Sequence, residues 1–203
     1  MARRGASAAG GDLFGAAEPR HSLFFALVPP AAAIEAIDAA RRSLEAGLPA
    51  EPGRPVPPQR LHLTLSWLGE WAVLPPAALQ GARHAATGLD QAGFVLQLDA
   101  AACFGRGEVV WVLRPSAPPA ALAALQQALV QAMLRQGLRP AGGHAFSPHV
   151  SLRRRAATAF EPRPAGPVSW PVDGFALIHS ERTDAGVDYH TLGHWPLART
   201  QAN

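Results

Sequence analysis

The chain has no lysine, a single cysteine and no uninterrupted apolar stretch of membrane-spanning length. Each absence closes a door. Without 18 or more apolar residues in a row, no segment reads as a transmembrane helix. One thiol, Cys103, cannot build an intrachain disulfide framework, which points to a reducing compartment. Cys103 follows Ala101-Ala102 beside an apolar run, and reads as a buried, inert thiol rather than a nucleophile. With no lysine, the net charge of +3 and sequence pI near 10.3 come from arginine, whose planar fork suits phosphate groups. An Ala-, Pro- and Arg-rich composition also follows from a GC-rich coding sequence, so the charge permits a nucleic-acid substrate without demanding one.

Charged residues make up 16% of the 203 positions and hydrophobic ones 48%, enough for one compact domain or two small lobes sharing an interface. Met1 to Arg20 lacks the continuous apolar core of a signal peptide and reads as a disordered tail, so residues 21–203 are expected to form the folded unit. A soluble, cytoplasmic monomer is the expectation.

Ser22–Val28 is a strand-length apolar run closed by Pro29-Pro30. Ile34, Ile37, Leu44 and Leu48 then recur at helical spacing. After a Pro-rich loop, Leu61 to Leu68 alternates, with Leu61, Leu63 and Leu65 on one face and His62, Thr64 and Ser66 on the other. Pro76–Leu89 predicts a second helix, and Phe94-Val95-Leu96-Gln97-Leu98 and Glu108–Arg114 predict strands. Leu122, Leu125, Leu129 and Met133 mark a helix entered through Pro118-Pro119. A second alternating strand, His149–Leu152, follows, then late strands over Val172–Ser180 and about Asp188–Trp195.

The order strand, helix, Pro-containing loop, His-bearing strand therefore occurs twice. Phe24 precedes His62 by 38 positions and Trp111 precedes His149 by the same 38, which predicts a twofold internal repeat. Two lobes related by pseudo-twofold symmetry would set the two His strands across a shared cleft.

In a strand, residues i and i+2 share a side. His62 with Thr64, and His149 with Ser151, thus each offer an imidazole and a hydroxyl. Two imidazoles titrating near neutrality supply one acid and one base, and the hydroxyls supply donors for phosphoryl oxygens. Such a pair suits hydrolysis of a strained cyclic phosphodiester, where positioning and charge stabilisation carry most of the catalysis. One His-x-Thr on a strand is an ordinary surface pattern. Two, each flanked by Leu or Val at matching places of a repeat, are not. The other histidines (His21, His84, His144, His179, His190 and His194) lack the repeated hydroxyl partner and read as surface or core residues.

These blocks resemble the 2H phosphoesterase superfamily, specifically the bacterial and archaeal RNA 2′,3′-cyclic phosphodiesterases once called 2′-5′ RNA ligases. The resemblance runs from about Leu23 to Pro196 and is carried by LFFALVPP, RLHLTLSWLGE (Arg60–Glu70), CFGRGEVVWVL (Cys103–Leu113) and FSPHVSLRR (Phe146–Arg154). It implies a bilobal α+β fold, with antiparallel sheets around a central cleft and helices outside. It further implies His62 as proton donor, His149 as proton acceptor, and Thr64, Ser151 and Arg154 as phosphate contacts. Neither a metal nor another cofactor is implied. The expected substrate is an RNA or oligonucleotide end bearing a 2′,3′-cyclic phosphate, opened to a 2′-phosphate, with weak reversible 2′-5′ ligation. Two departures stand out: Ser151 where Thr is commoner, and Trp67 where Phe is usual.

Three other readings remain. An RNA-binding module without catalysis would use the arginines and aromatics but has no need of two matched histidines. A metallohydrolase would need clustered ligands, yet His190 and His194 lie in a strand-like stretch, where a spacing of four does not place both on one helical face. A 2H phosphoesterase acting on another cyclic or 2′-5′-linked nucleotide shares all the motifs. A serine hydrolase lacks its Gly-x-Ser-x-Gly. Trp67, Phe25, Phe104 and Phe146 are candidates to stack on a base, with core packing expected for at least two of them.

Overall fold

The computed structural model describes residues 20–48, 53–105, 107–141, 145–184 and 186–198. The tail expected over Met1–Arg20 lies outside them except for Arg20, which opens the first strand, and His144 also lies outside them.

In chain order the elements are β1 Arg20–Leu27, α1 Ala31–Ala46, β2 Arg54–Pro55, a 3-10 turn Pro58–Arg60, β3 Leu63–Trp71, α2 Pro76–Ala86, β4 Phe94–Phe104, β5 Val109–Arg114, α3 Ala120–Arg135, β6 Val150–Ala156, β7 Arg163–Val172, β8 Gly174–Thr183 and β9 Gly186–Pro196. The fold is α+β. The main strands form one antiparallel sheet in the order β7-β4-β5-β6-β3-β1-β8-β9, with β2 paired to β6. Its two halves, β3-β1-β8-β9 and β6-β5-β4-β7, meet where Leu63 pairs with Val150.

The register shows the repeat residue by residue. Thr64 pairs with Ala26 and Ser66 with Phe25, while Ser151 pairs with Val112 and Arg153 with Trp111. Both ladders skip one residue at the same place, Leu65 and Leu152, so the same bulge occurs twice. Trp111 is therefore equivalent to Phe25, not to Phe24. The equal spacing of 38 misaligned the first strands by one residue, and in a strand one residue exchanges the two faces. Phe25 and Trp111 are both fully buried in the main core, whereas Phe24 faces the cleft.

The helices cover the core face of this sheet. α1 buries Ala33, Ile37 and Leu44, follows Pro30 in extended conformation, and stops at Gly47. It belongs in sequence to the first half but packs on β7 and β6 of the second. α3 buries Leu122, Leu125, Leu129, Ala132 and Met133, follows β5, and packs on α2, β3 and β4. This exchange of helices ties the halves into one core. Each large side chain buried there stabilises the fold by roughly 1.5–3 kcal/mol.

Several sequence expectations shift. Ser66, expected on the face of His62 and Thr64, is buried on the other, because the bulge at Leu65 reverses the alternation. The first His strand begins two residues later than read and the second one residue later, so His62 and His149 stand just before β3 and β6. β7, with Pro164, Pro167 and Pro171, was not foreseen at all. It forms one edge of the sheet, where a residue without an N–H is tolerated. The late strand expected over Val172–Ser180 is instead the end of β7 and most of β8, separated at Asp173. No described helix is long and apolar enough to cross a membrane.

Candidate active site

The site grows out of the Leu63–Val150 pair. Both side chains are fully buried, so the residues on either side of each point to the opposite face. Extending the antiparallel register by one residue in each direction sets His62 beside Ser151 and Thr64 beside His149. Each imidazole thereby faces the hydroxyl of the other motif. Beyond this pair the halves diverge, and the opening is a cleft of about 1170 Å³ whose lining includes Phe24, His62, Thr64, Ser151, Arg154 and Tyr189.

Both histidines are held in the same way. His62 Nδ1 lies 2.7 Å from the carbonyl of Arg60, and His149 Nδ1 lies 2.8 Å from that of Ser147. A carbonyl only accepts, so Nδ1 must donate in each, and the neutral ring keeps its lone pair on Nε2. The residues two before each histidine are brought close by a Pro-shaped approach: the 3-10 turn that begins at Pro58, and buried Pro148.

The surroundings break the symmetry. His62 is flanked by Phe24 at 5.0 Å and by the edge of Tyr189 at 5.5 Å between ring centroids, while His149 meets the edge of Phe104 at 4.8 Å. Burial pushes the His62 pKa down to about 4; the Arg60 carbonyl opposes this, and the charges of Arg154, His149 and Arg60 reinforce it. His149 is also lowered, by burial first and then by Arg154, against its bond to Ser147. Tyr189, raised by burial, keeps its proton.

Arginines gather at the cleft. Arg54 and Arg154 are direct partners across β2 and β6, an arrangement of like charges that costs stability unless an anion joins them. Gly53 permits it, since a Cβ there would stand 2.6 Å from the Arg155 carbonyl. Arg60 and Arg182 line the same cleft, and among the described residues none of these four has an acidic partner.

Of the residues expected in the site, His62, Thr64, Ser151 and Arg154 line the cleft, and His149 lies close enough for its charge to act on His62. Among the stacking candidates, Phe25 is fully buried and Phe146 packs on the core, whereas Phe104 touches His149 and Trp67 is exposed in the cleft. Sequence reasoning missed Tyr189, Arg54 and Arg182, and took Phe24 only as a marker of the repeat. Tyr189 is the sole tyrosine, but nothing in the sequence says that β9 lies next but one to β1. Among the described residues no group of three or more His, Cys, Asp or Glu is arranged to hold a metal ion.

A family model described as the 2′-5′ RNA ligase superfamily matches residues 28–184. The chain belongs to this superfamily. An RNA 2′,3′-cyclic phosphodiesterase of Escherichia coli (strain K12) is 36% identical over 183 residues, covering 90% of this chain and 99% of that protein. An RNA 2′,3′-cyclic phosphodiesterase of Thermus thermophilus is 35% identical over 156 residues, covering 71% of this chain and 75% of that protein. The crystal structure of E. coli LigT in apo form superposes with a TM-score of 0.75 at 33% identity, over 90% of this chain and 99% of that one. In this superfamily member the repeat sets two His-x-hydroxyl pairs against each other, and the bulges that follow them aim Trp67 and Arg154 into the cleft.

Proposed function

We propose that this protein is an RNA 2′,3′-cyclic phosphodiesterase that opens a terminal cyclic phosphate to a 2′-phosphate by two-histidine acid–base catalysis. The observation that carries the reading is the pair of imidazoles, each fixed through Nδ1 and with no hydrogen-bond partner on Nε2 among the described residues, at an arginine-lined cleft. A binding module needs no such matched tautomers.

In the reaction, water attacks phosphorus, a new P–O bond forms and the P–O3′ bond breaks. The acceptor, His149, takes a proton from the water through Nε2. The donor, His62, delivers one to the departing ribose O3′. These two roles follow the family resemblance; the symmetric bonding of the rings supports the pair without ordering it. Thr64 and Ser151 donate hydrogen bonds to the phosphoryl oxygens, and Arg154, with Arg54 beside it, balances their charge. With the 5′-hydroxyl of a second strand in place of water, the same arrangement opens the cyclic phosphate to a 2′-5′ phosphodiester and a free 3′-hydroxyl, the weak, reversible 2′-5′ ligation that the family resemblance implies. No cofactor enters. Residues 21–203 act as one bilobal domain, and we read the protein as a cytoplasmic monomer whose lone thiol, Cys103, takes a structural hydrogen bond from the Phe160 N–H.

Oligonucleotides ending in a 2′,3′-cyclic phosphate, cyclic mononucleotides and 2′-5′ oligoadenylate should be compared, with end-group analysis of products. The expected outcome is preferential opening of the oligonucleotide to a 2′-phosphate, undiminished by excess chelator. Preference for 2′-5′ oligoadenylate would replace the substrate, and loss of activity in chelator would replace the mechanism.

A further inference from the structure

The two bulges place different chemistry at equivalent points. Thr64 corresponds to Ser151, and three residues on, Trp67 corresponds to Arg154. Both are exposed and both line the cleft. One half thus presents a cation where the other presents an indole. Trp67 keeps 40% of its surface exposed, the only aromatic among the exposed large hydrophobic residues described. Its position is fixed: Nε1–H donates to Ser22 Oγ at 2.7 Å, and Ser22 in turn bonds to the Gly69 carbonyl. An indole pinned by its one polar atom and left bare in a polar cleft is a surface kept for a planar ligand.

We infer that Trp67 is the nucleobase platform of this cleft, stacking on the base of the nucleotide whose phosphate lies between the two histidines. The inference rests on the phosphodiesterase reading for what occupies the centre. Thr64 pairs with Ala26 and Trp67 with Phe24, so the platform lies two strand residues, about 6.8 Å, from the phosphate-binding hydroxyl. With Arg154 on the opposite half, the substrate has a direction: phosphate toward the Arg54–Arg154 side, base toward Trp67. Stacking is tolerant of base identity, so the subsite selects a nucleotide over a base-free sugar phosphate without choosing a sequence.

The test is calorimetric binding of 2′-AMP and of methyl riboside 2-phosphate, which has no base, to the wild-type chain and to Trp67→Ala, Trp67→Phe and Ser22→Ala. Trp67→Ala should weaken 2′-AMP about 5–150-fold, the span of one aromatic–base stack, and leave the base-free ligand unchanged. Trp67→Phe should restore most of the loss, and Ser22→Ala should show a smaller loss confined to 2′-AMP. Equal weakening of both ligands, no weakening of either, or no binding of 2′-AMP by the wild-type chain would overturn the inference. Turnover of a cyclic-phosphate substrate is measured separately: base-selective loss of binding in Trp67→Ala, with a wild-type protein that binds 2′-AMP but hydrolyses nothing, would sink the enzyme reading while leaving the platform standing.

Discussion

Leu63 of β3 and Val150 of β6 pair directly, both fully buried, at the seam where the two halves of the sheet meet. The two histidines and the two hydroxyls each sit one residue to either side of that seam. The pair is apolar because it must be core, and its burial is what turns His62, Thr64, His149 and Ser151 outward.

The hydroxyls and Arg154 should act on the phosphate alone. A hydrogen bond to a charged group contributes about 1.5–3 kcal/mol, so Thr64→Val and Ser151→Ala should each lower kcat/KM roughly 10–150-fold. Arg154→Lys should recover only part of the loss in Arg154→Ala, since an ammonium cannot reproduce the bidentate fork. Steady-state kinetics check both, and full recovery by lysine would mean that only charge matters.

The depressed histidines predict an unusual pH dependence. In the free protein both imidazoles titrate below 6.5, His62 near 4, so kcat/KM should peak on the acid side of 6.5 and fall as pH rises. A bound phosphate anion favours the imidazolium and should move the kcat optimum to higher pH. Binding at pH 7 should then take up a proton, visible as a dependence of calorimetric heat on the ionisation enthalpy of the buffer. Heat independent of buffer would contradict it.

Arg153, equivalent to Ser66 in the other half, is buried against Trp111 and binds Glu45 of α1 at 2.5 Å as well as the Gly53 carbonyl. Burial pushes the Glu45 carboxyl up, but the bonds from Arg153 and Arg41 outweigh it and hold it below the ordinary range. Arg153→Met should cost about 1–3 kcal/mol in denaturant melts, less than the 3–5 typical of a fully buried pair because Glu45 retains Arg41. A carboxyl with a lowered folded pKa gives stability that is present above its unfolded value and lost as pH falls through the folded one. The lowered histidines act in the same sense, because the unfolded chain binds their protons first. Stability should therefore fall as pH drops below about 6.5, and fall further below about 4.3. The acid branch should be shallower in Glu45→Gln.

Much of this was legible in the sequence because both motifs are local. Alternation in Leu61–Leu65 and His149–Leu152 reports which side each residue takes, and the repeat reports that the motifs are equivalent; past Leu65 the bulge reverses the faces, so Ser66 is buried and Trp67 turns to the cleft. What the sequence could not report was non-local. Tyr189 reaches His62 across β8, whose Ser180 is its strand partner, and Arg54 meets Arg154 through a two-residue strand with no periodicity to read. The misalignment of Phe24 with Trp111 has the same origin: the connection from the first strand to the His motif is one residue shorter in the first half than in the second, and only the paired bulges reveal it. β7 hid behind its prolines, which a sequence reading takes for a loop and an edge strand accommodates.

The central claim is that the two histidines form one catalytic pair. The measurement that tests it most directly is single-turnover opening of an RNA end bearing a 2′,3′-cyclic phosphate by the wild-type protein, His62→Ala, His149→Ala and the double variant, with RNA binding followed in parallel. The account predicts that each single variant loses at least about 10²–10⁴-fold in rate, that the double variant loses little more, and that binding persists in all of them. Unchanged hydrolysis in either single variant, or a loss that follows binding alone, would contradict it.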